Sequence, residues 1–267
     1  MTTLLLTGAT GMIGSALRPR LARPGRTLRL LDTVEPASPA DGEQVVVGSF
    51  AESAVAAKAC EGVDLIVHLG GHSKEQSWSE LMSVNVSGTQ QLLEAARIAN
   101  VPRILLASSI HAVGFLAPGH ARDVPAPPPR PDSYYGVSKA AIEALGSLYA
   151  DRYEMSITSV RIGTFGTTVR EPRMLATWLS ADDASRIVEA CLTFDQPGHR
   201  VIWGVSNNSR RWFDLEPGHE IGYFPLDDAE MCASDQLRAD AEQVLSASQF
   251  LGGPLATDRF PPGSPWI

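Results

Sequence analysis

Cysteine is scarce in this chain. The 267 residues hold three, Cys60, Cys191 and Cys232, an odd number with no metal-ligand spacing. That argues against a disulfide framework and reads as reduced thiols in a reducing compartment. No cluster of His, Cys and carboxylates points to a metal. Long apolar runs are also missing, since none approaches the ~20 residues of a membrane span. The first residues enter a strand with no signal peptide ahead of them, so a cytoplasmic protein is expected. Basic residues are outnumbered, 22 Lys and Arg against 30 Asp and Glu, for a formal charge of −8. This balance argues against nucleic acid or an anionic membrane as a partner. An acidic chain can bind an acid only through a local cation, which makes each arginine near a site informative.

What is present is an ordinary globular composition, 44% hydrophobic and 19% charged, sufficient for a packed core. The length suits one α/β domain over residues 1–267, with a small lobe from about residue 163. Residues 4–14, LLLTGATGMIG, organise the rest. Leu4–Leu6 reads as a buried strand, Gly8, Gly11 and Gly14 as a tight turn, and Met12–Leu21 as a helix opened by Met12 and Ile13. A strand turning this sharply into a helix exposes backbone N–H groups and a positive dipole end, which suit a pyrophosphate. Gly8 and Gly11 let the backbone approach the ligand, and Gly14 lets the helix pack closely. Asp32 ends a second apolar run, Leu28–Leu31, where an acid can bind a ribose diol.

Further strands are predicted over Val45–Val47, Asp64–Leu69, Ile104–Ala107, Thr158–Ile162 and Val201–Trp203. Helices are predicted over Glu52–Glu61, Trp78–Asn100 and Ser133–Tyr153, and from a capping-box-like Ser180-Ala-Asp-Asp183. This alternation implies a parallel, doubly wound sheet with its ligand crevice at the strand ends. Ser49 and Phe50 are then placed to border an adenine, and Leu69, Gly70 and Gly71 to lie beside a cofactor. In the Trp78–Asn100 pattern, Leu81, Val84, Leu92, Leu93, Ala96 and Ile98 are spaced for a buried face. Asn85 is a poor helix former there and reads as serving a hydrogen bond. Six prolines between Pro118 and Pro131 mark a long loop. His68 reads as a core histidine, and Trp178, Trp203 and Trp212 as packing.

Tyr135-Gly-Val-Ser-Lys139 is the sharpest chemical signal. Residues four apart share one helix face. An ammonium beside a phenol favours the phenolate and lowers the tyrosine pKa from about 10, giving a base usable near neutral pH. Ser109, at the end of the fifth strand, can hold a substrate oxygen beside Tyr135.

Together, TGATGMIG, Asp32, Ser109 and YGVSK resemble the extended, epimerase-like branch of the short-chain dehydrogenase/reductase superfamily. More narrowly, HLGGHS (68–73), ASSIHAVG (107–114), VRIGT (160–164), RMLATWLS (173–180) and VIWGVS (201–206) resemble the uronate dehydrogenase family, the match fading after about Pro225. The resemblance implies a Rossmann-type sheet with a small C-terminal substrate lobe. It implies NAD rather than NADP, since Asp32 would repel a 2′-phosphate. Tyr135 would be the base, Lys139 its activator and nicotinamide-ribose ligand, and Ser109 the group orienting the reacting oxygen. Asn85 would support Lys139, commonly through water. Arg173 would grip the substrate carboxylate, with Ser73, His111 and Thr164 at sugar hydroxyls or carboxylate. Gly8, Gly11, Met12, Ile13, Ser49, Phe50, Leu69, Gly70, Gly71 and Ile162 would complete the cofactor site. The implied reaction is oxidation of a hexuronic acid, galacturonate or glucuronate, at its anomeric carbon to the aldarolactone by a homo-oligomer.

Two positions depart from the family. Ile110 stands where asparagine is frequent, and Ser49 where aspartate is usual. The residues alone leave two other readings open: a nucleotide-sugar epimerase or dehydratase, and a dinucleotide-sensing protein without turnover. Arg173 in turn has a plain alternative, a surface pair with Glu171 or Asp182.

Overall fold

Seven parallel strands build the central sheet in the order β3-β2-β1-β4-β5-β6-β9. The computed structural model describes residues 1–257 and 261–263. The strands are β1 (Thr2–Thr7), β2 (Arg26–Asp32), β3 (Glu43–Val47), β4 (Leu65–His68), β5 (Arg103–Ser109), β6 (Ser156–Ile162) and β9 (Gly198–Gly204). β7 (Thr164–Phe165) and β8 (Trp178–Leu179) form a separate parallel pair that the sequence did not reveal.

Alternate side chains along each strand leave the sheet on opposite faces. Leu4, Leu6, Leu28, Leu30, Val67 and Val160 face α1 (Met12–Leu21), and they also face a later helix, Ala181–Thr193. Leu5, Leu31, Ile66, Ile104, Leu106 and Ile157 face the other side. There they meet α2 (Ser53–Cys60) and the helical stretch after β4, which is built from α3 (Trp78–Glu80), π-turns (Leu81–Ser87) and α4 (Gly88–Ile98). Both faces being buried explains why the strands read as continuous apolar runs.

The remaining helices are α5 (Pro118–Asp123), α6 (Tyr134–Tyr153), α7 (Met174–Thr177), α8 (Ala181–Thr193), α9 (Glu216–His219), α10 (Ala229–Cys232) and α11 (Asp235–Ser246). α6 packs beside α4 on the second face. Two further apolar clusters lie outside the faces of the sheet's centre, one joining Ile110, Val113 and Leu116 to Trp203, Trp212 and Phe213, and one around Trp178 and Leu175.

Several expectations need correction. The Trp78–Asn100 pattern is not one α-helix, because its π-turns insert an extra residue per turn around Asn85. Ile98, expected on the buried face, is 65% exposed. The proline-rich loop begins with the short helix α5. Ser180 caps α8 by accepting Asp183 N–H at 2.9 Å, but the Asp183 carboxylate turns instead to the N–H groups of Leu226 and Asp227. Among the described residues no helix is long and apolar enough to cross a membrane.

Candidate active site

The strand order reverses between β1 and β4, and both strands end at the same crevice. Gly8 leaves β1 with φ +67°, and a Cβ there would stand 2.9 Å from Gly70 N. Thr7 Oγ1 accepts Gly70 N–H at 3.0 Å and is hydrogen bonded to His68 Nδ1 at 2.8 Å. His68 Nε2 reaches Thr89 Oγ1 at 2.9 Å, and burial pushes this ring's pKa down to about 3. It is a neutral core histidine that ties β1, β4 and α4 together.

Gly11 caps α1 with no side-chain acceptor on the first-turn N–H groups. Gly14 packs its Cα onto the turn itself, since a Cβ would lie 2.3 Å from Gly8 O. The start of α1 therefore offers free donors and a bare backbone, with Met12 73% exposed beside it. Asp32 stands at the tip of β2. Its Oδ2 accepts from Thr10 N and Oγ1 at 2.9 and 2.8 Å, which fixes the carboxylate beside the turn. These residues fit a dinucleotide: a cradle that a Cβ would fill, uncapped N–H donors and an anchored acid. The Phe50 ring is buried edge-on against His68 at 4.9 Å, in the room that Gly70 and Gly88 leave, which holds the end of β3 beside β4. Ser49 Oγ accepts Ala51 N–H at 3.2 Å.

α6 delivers Tyr135 and Lys139 from its first turns. Ser133 Oγ caps it by accepting Gly136 N–H at 3.0 Å. Tyr135 is buried and hydrogen bonded to Ser109, and Lys139 Nζ lies 5.6 Å from the Tyr135 ring centroid. Lys139 Nζ donates to Ala107 O at 2.7 Å. The expected lowering of the Tyr135 pKa is overturned here: burial pushes the phenol up to about 12, the Ser109 hydrogen bond opposes this, and the Asp132 charge adds to it. Burial likewise brings Lys139 down to about 8, against the pull of Glu143. Glu143, two turns from Tyr135 on the same helix, is itself buried. It takes both prongs of Arg161 at 2.9 and 2.8 Å and the Ser108 hydroxyl at 2.6 Å.

Asn85 reaches the site indirectly. Its Nδ2 donates to Ser138 Oγ and to His72 O, and its Oδ1 accepts His72 N–H. No direct bond to Lys139 forms; Asn85 instead locks the loop after β4 onto α6, and a Cβ at Gly71 would press on its Oδ1 at 2.7 Å. The π-turns supply the re-aimed side chain.

Arg173, just before α7, is neither paired with Asp182 nor loose in solvent. Its NH2 donates to Leu251 O and its NH1 to Phe250 O, and the guanidinium lies 4.9 Å from the Trp212 ring centroid. Asp182 belongs to Arg20. Burial lowers the Arg173 pKa, with Glu171 and Asp132 opposing. Thr164 Oγ1 bonds Thr177 Oγ1 at 2.8 Å, and Thr177 Oγ1 donates to Arg173 O at 3.2 Å. The structure thus joins Thr164 to Arg173, and Ser109 and His111 to Tyr135.

A model of the NAD dependent epimerase/dehydratase family matches residues 4–216. The chain belongs to that family. Within it, the chain is 42% identical over 229 residues to a uronate dehydrogenase of Pseudomonas putida, covering 85% of each protein. Among solved structures it resembles a mutant of the Agrobacterium tumefaciens uronate dehydrogenase complexed with NAD, with TM-score 0.85, 34% identity and 98% and 99% coverage. It also resembles a glucuronic acid dehydrogenase from Chromohalobacter salexigens, with TM-score 0.85, 33% identity and 96% coverage of both chains.

This epimerase/dehydratase member also places beside Tyr135 two buried acids that sequence reasoning missed. Glu75 is buried and accepts Tyr134 N–H at 3.1 Å and Tyr135 N–H at 2.7 Å, and it also takes Gly263 N–H at 2.7 Å. Asp132 Oδ2 lies 2.9 Å from His111 Nδ1, and the His111 ring meets Tyr135 edge-on at 5.8 Å. Ser73 is exposed two residues before Glu75. Ile162 is half-buried at the end of β6. Ile110 is buried in the apolar cluster of Trp203 and Trp212. The only foreshadowing in the sequence was Ser133 as a helix start, which puts Asp132 beside a cap.

Proposed function

We propose that this protein is an NAD-dependent uronate dehydrogenase that oxidises the anomeric carbon of a cyclic hexuronic acid to the aldarolactone. The observation that carries this reading is Arg173. The described hydrogen bonds of this desolvated guanidinium go to neutral carbonyls beside an aromatic face, and a sugar carboxylate would supply it with bidentate, charge-assisted bonds. The Pseudomonas putida relative named above supports the same substrate class.

Bound NAD supplies the hydride acceptor and, when oxidised, a ring cation that offsets the desolvation of a Tyr135 phenolate. Asp32 holds the adenosine ribose, and the Gly8–Gly11 turn with the start of α1 holds the pyrophosphate. Ser109 orients the anomeric hydroxyl, and Tyr135 Oη takes its proton as the anomeric hydride leaves. Lys139 keeps a positive charge beside the phenol. His111, Ser73 and Thr164 hold the remaining sugar oxygens.

The test is NADH formation from galacturonate and glucuronate, run beside neutral sugars. Arg173→Ala is expected to lower kcat/KM for uronates by roughly 10- to 100-fold, the worth of a charge-assisted hydrogen bond, and to leave neutral-sugar turnover nearly unchanged. Equal losses on both substrate classes overturn the assignment.

A further inference from the structure

Among the buried carboxylates to which the mechanism above gives no task, Asp132 stands where three segments meet. The Asp132 side chain is fully shielded from solvent, with its Oδ2 2.9 Å from His111 Nδ1 and its Oδ1 accepting Ser133 Oγ–H at 2.9 Å. Ser133 Oγ in turn accepts Gly136 N–H and so caps the helix that carries Tyr135. Two glycines wall the carboxylate in. A Cβ at Gly114 would stand 1.9 Å from Asp132 Oδ2, and one at Gly252 would stand 1.6 Å away. The turn that carries His111, the cap of α6 and the C-terminal segment that holds Arg173 therefore meet on one side chain.

We propose that Asp132 is a positioning residue for Tyr135, acting through the His111 ring and the Ser133 cap. The proposal rests on Tyr135 being the base.

Five groups act on Tyr135 from the elements packed around it. Lys139 lies on its own helix, Ser109 and His111 come from the end of β5, Asp132 stands ahead of α6, and Glu75 on the loop after β4 binds its N–H. Of these, Asp132 opposes ionisation of the phenol by its charge. Removing that charge while loosening the geometry has a signature that a purely structural residue lacks. In Asp132→Asn, the acid limb of kcat/KM is expected to move to lower pH while kcat falls on the order of 10- to 100-fold, the scale for a misplaced catalytic group.

The measurement is a double-mutant cycle of Asp132→Asn with His111→Gln, each variant carried through a full pH profile. Strong non-additivity, with the double variant no slower than the slower single, is expected; additive losses with an unshifted acid limb overturn the proposal. If Asp132→Asn fails to melt cooperatively, Ser133→Ala replaces it, keeping the carboxylate and cutting its link to the cap. A loss of kcat that is non-additive with His111→Gln then supports the proposal, and wild-type kcat or additive losses overturn it. Ultraviolet titration of the phenolate with NAD present and substrate absent, using Tyr135→Phe as blank, gives a readout independent of turnover. If the wild type oxidises no uronate, the function proposed above fails, while this titration still decides on Asp132: an earlier phenolate in Asp132→Asn supports it and an unmoved one refutes it.

Discussion

His68 is the residue whose environment has the clearest consequence for stability. Buried between two threonine hydroxyls, it titrates in the fold near pH 3 instead of near 6.5. Between those values the unfolded chain holds a proton that the folded chain refuses, so stability falls as pH drops below about 6.5. The slope from this one group is about 1.4 kcal/mol per pH unit. Urea unfolding at pH 7 and pH 5 is expected to show the loss, and His68→Gln is expected to start less stable but to flatten that part of the slope. An unchanged slope in the variant would mean that other groups carry the acid sensitivity. Tyr135 and Lys139 follow the same rule from opposite directions: burial disfavours the charged form of each, raising the phenol and lowering the amine. Four-residue spacing identified the pair, yet spacing carries no information about desolvation, which dominates in the folded chain.

At the scale of elements, the turn from β1 into α1 was legible because only glycine serves it. Gly8 sits at φ +67°, and a Cβ there would stand 2.9 Å from Gly70 N, so Gly8→Ala strains the backbone and pushes β1 from the loop after β4. A stability loss of roughly 1–3 kcal/mol is expected, together with weaker NAD binding, read by thermal melting and by a fluorescence titration with the cofactor. Strands buried on both faces were likewise legible as apolar runs. The helix after β4 was not. A spacing of three and four describes an α-helix and its π-turn variant equally well, and nothing in residues 81–87 marks the extra residue that aims Asn85 at His72 and Ser138. Glu75 and Asp132 were illegible for a different reason. A buried acid satisfied by backbone N–H groups or by a distant histidine has the same letter as a solvated one. The carbonyl partners of Arg173 come from Phe250 and Leu251, and a backbone carbonyl leaves no trace in side-chain identity.

Taken as a whole, the molecule pairs a sheet whose β1 and β4 end at one crevice with a C-terminal segment that returns to hold Arg173. Leu251 N–H and Gly252 N–H donate to Leu116 O and Gly114 O at 2.8 and 2.9 Å, bringing the segment onto the loop after β5. Gly252→Ala, which forces a Cβ into Asp132, is expected to disturb that return while leaving the sheet intact. NAD affinity should stay within about twofold, and uronate KM should rise by roughly tenfold or more, about 1.4 kcal/mol. A matching loss of cofactor binding would show that the two halves are not separable in this way.

The same return has a consequence during synthesis. Chains are made from the amino end, and β9 completes the sheet well before Phe250 and Leu251 are translated. A nascent chain therefore holds all seven strands of the sheet while this segment is still unmade. On the role proposed for Arg173, a grip on a sugar acid follows only once the carbonyls that steady its guanidinium emerge from the exit tunnel.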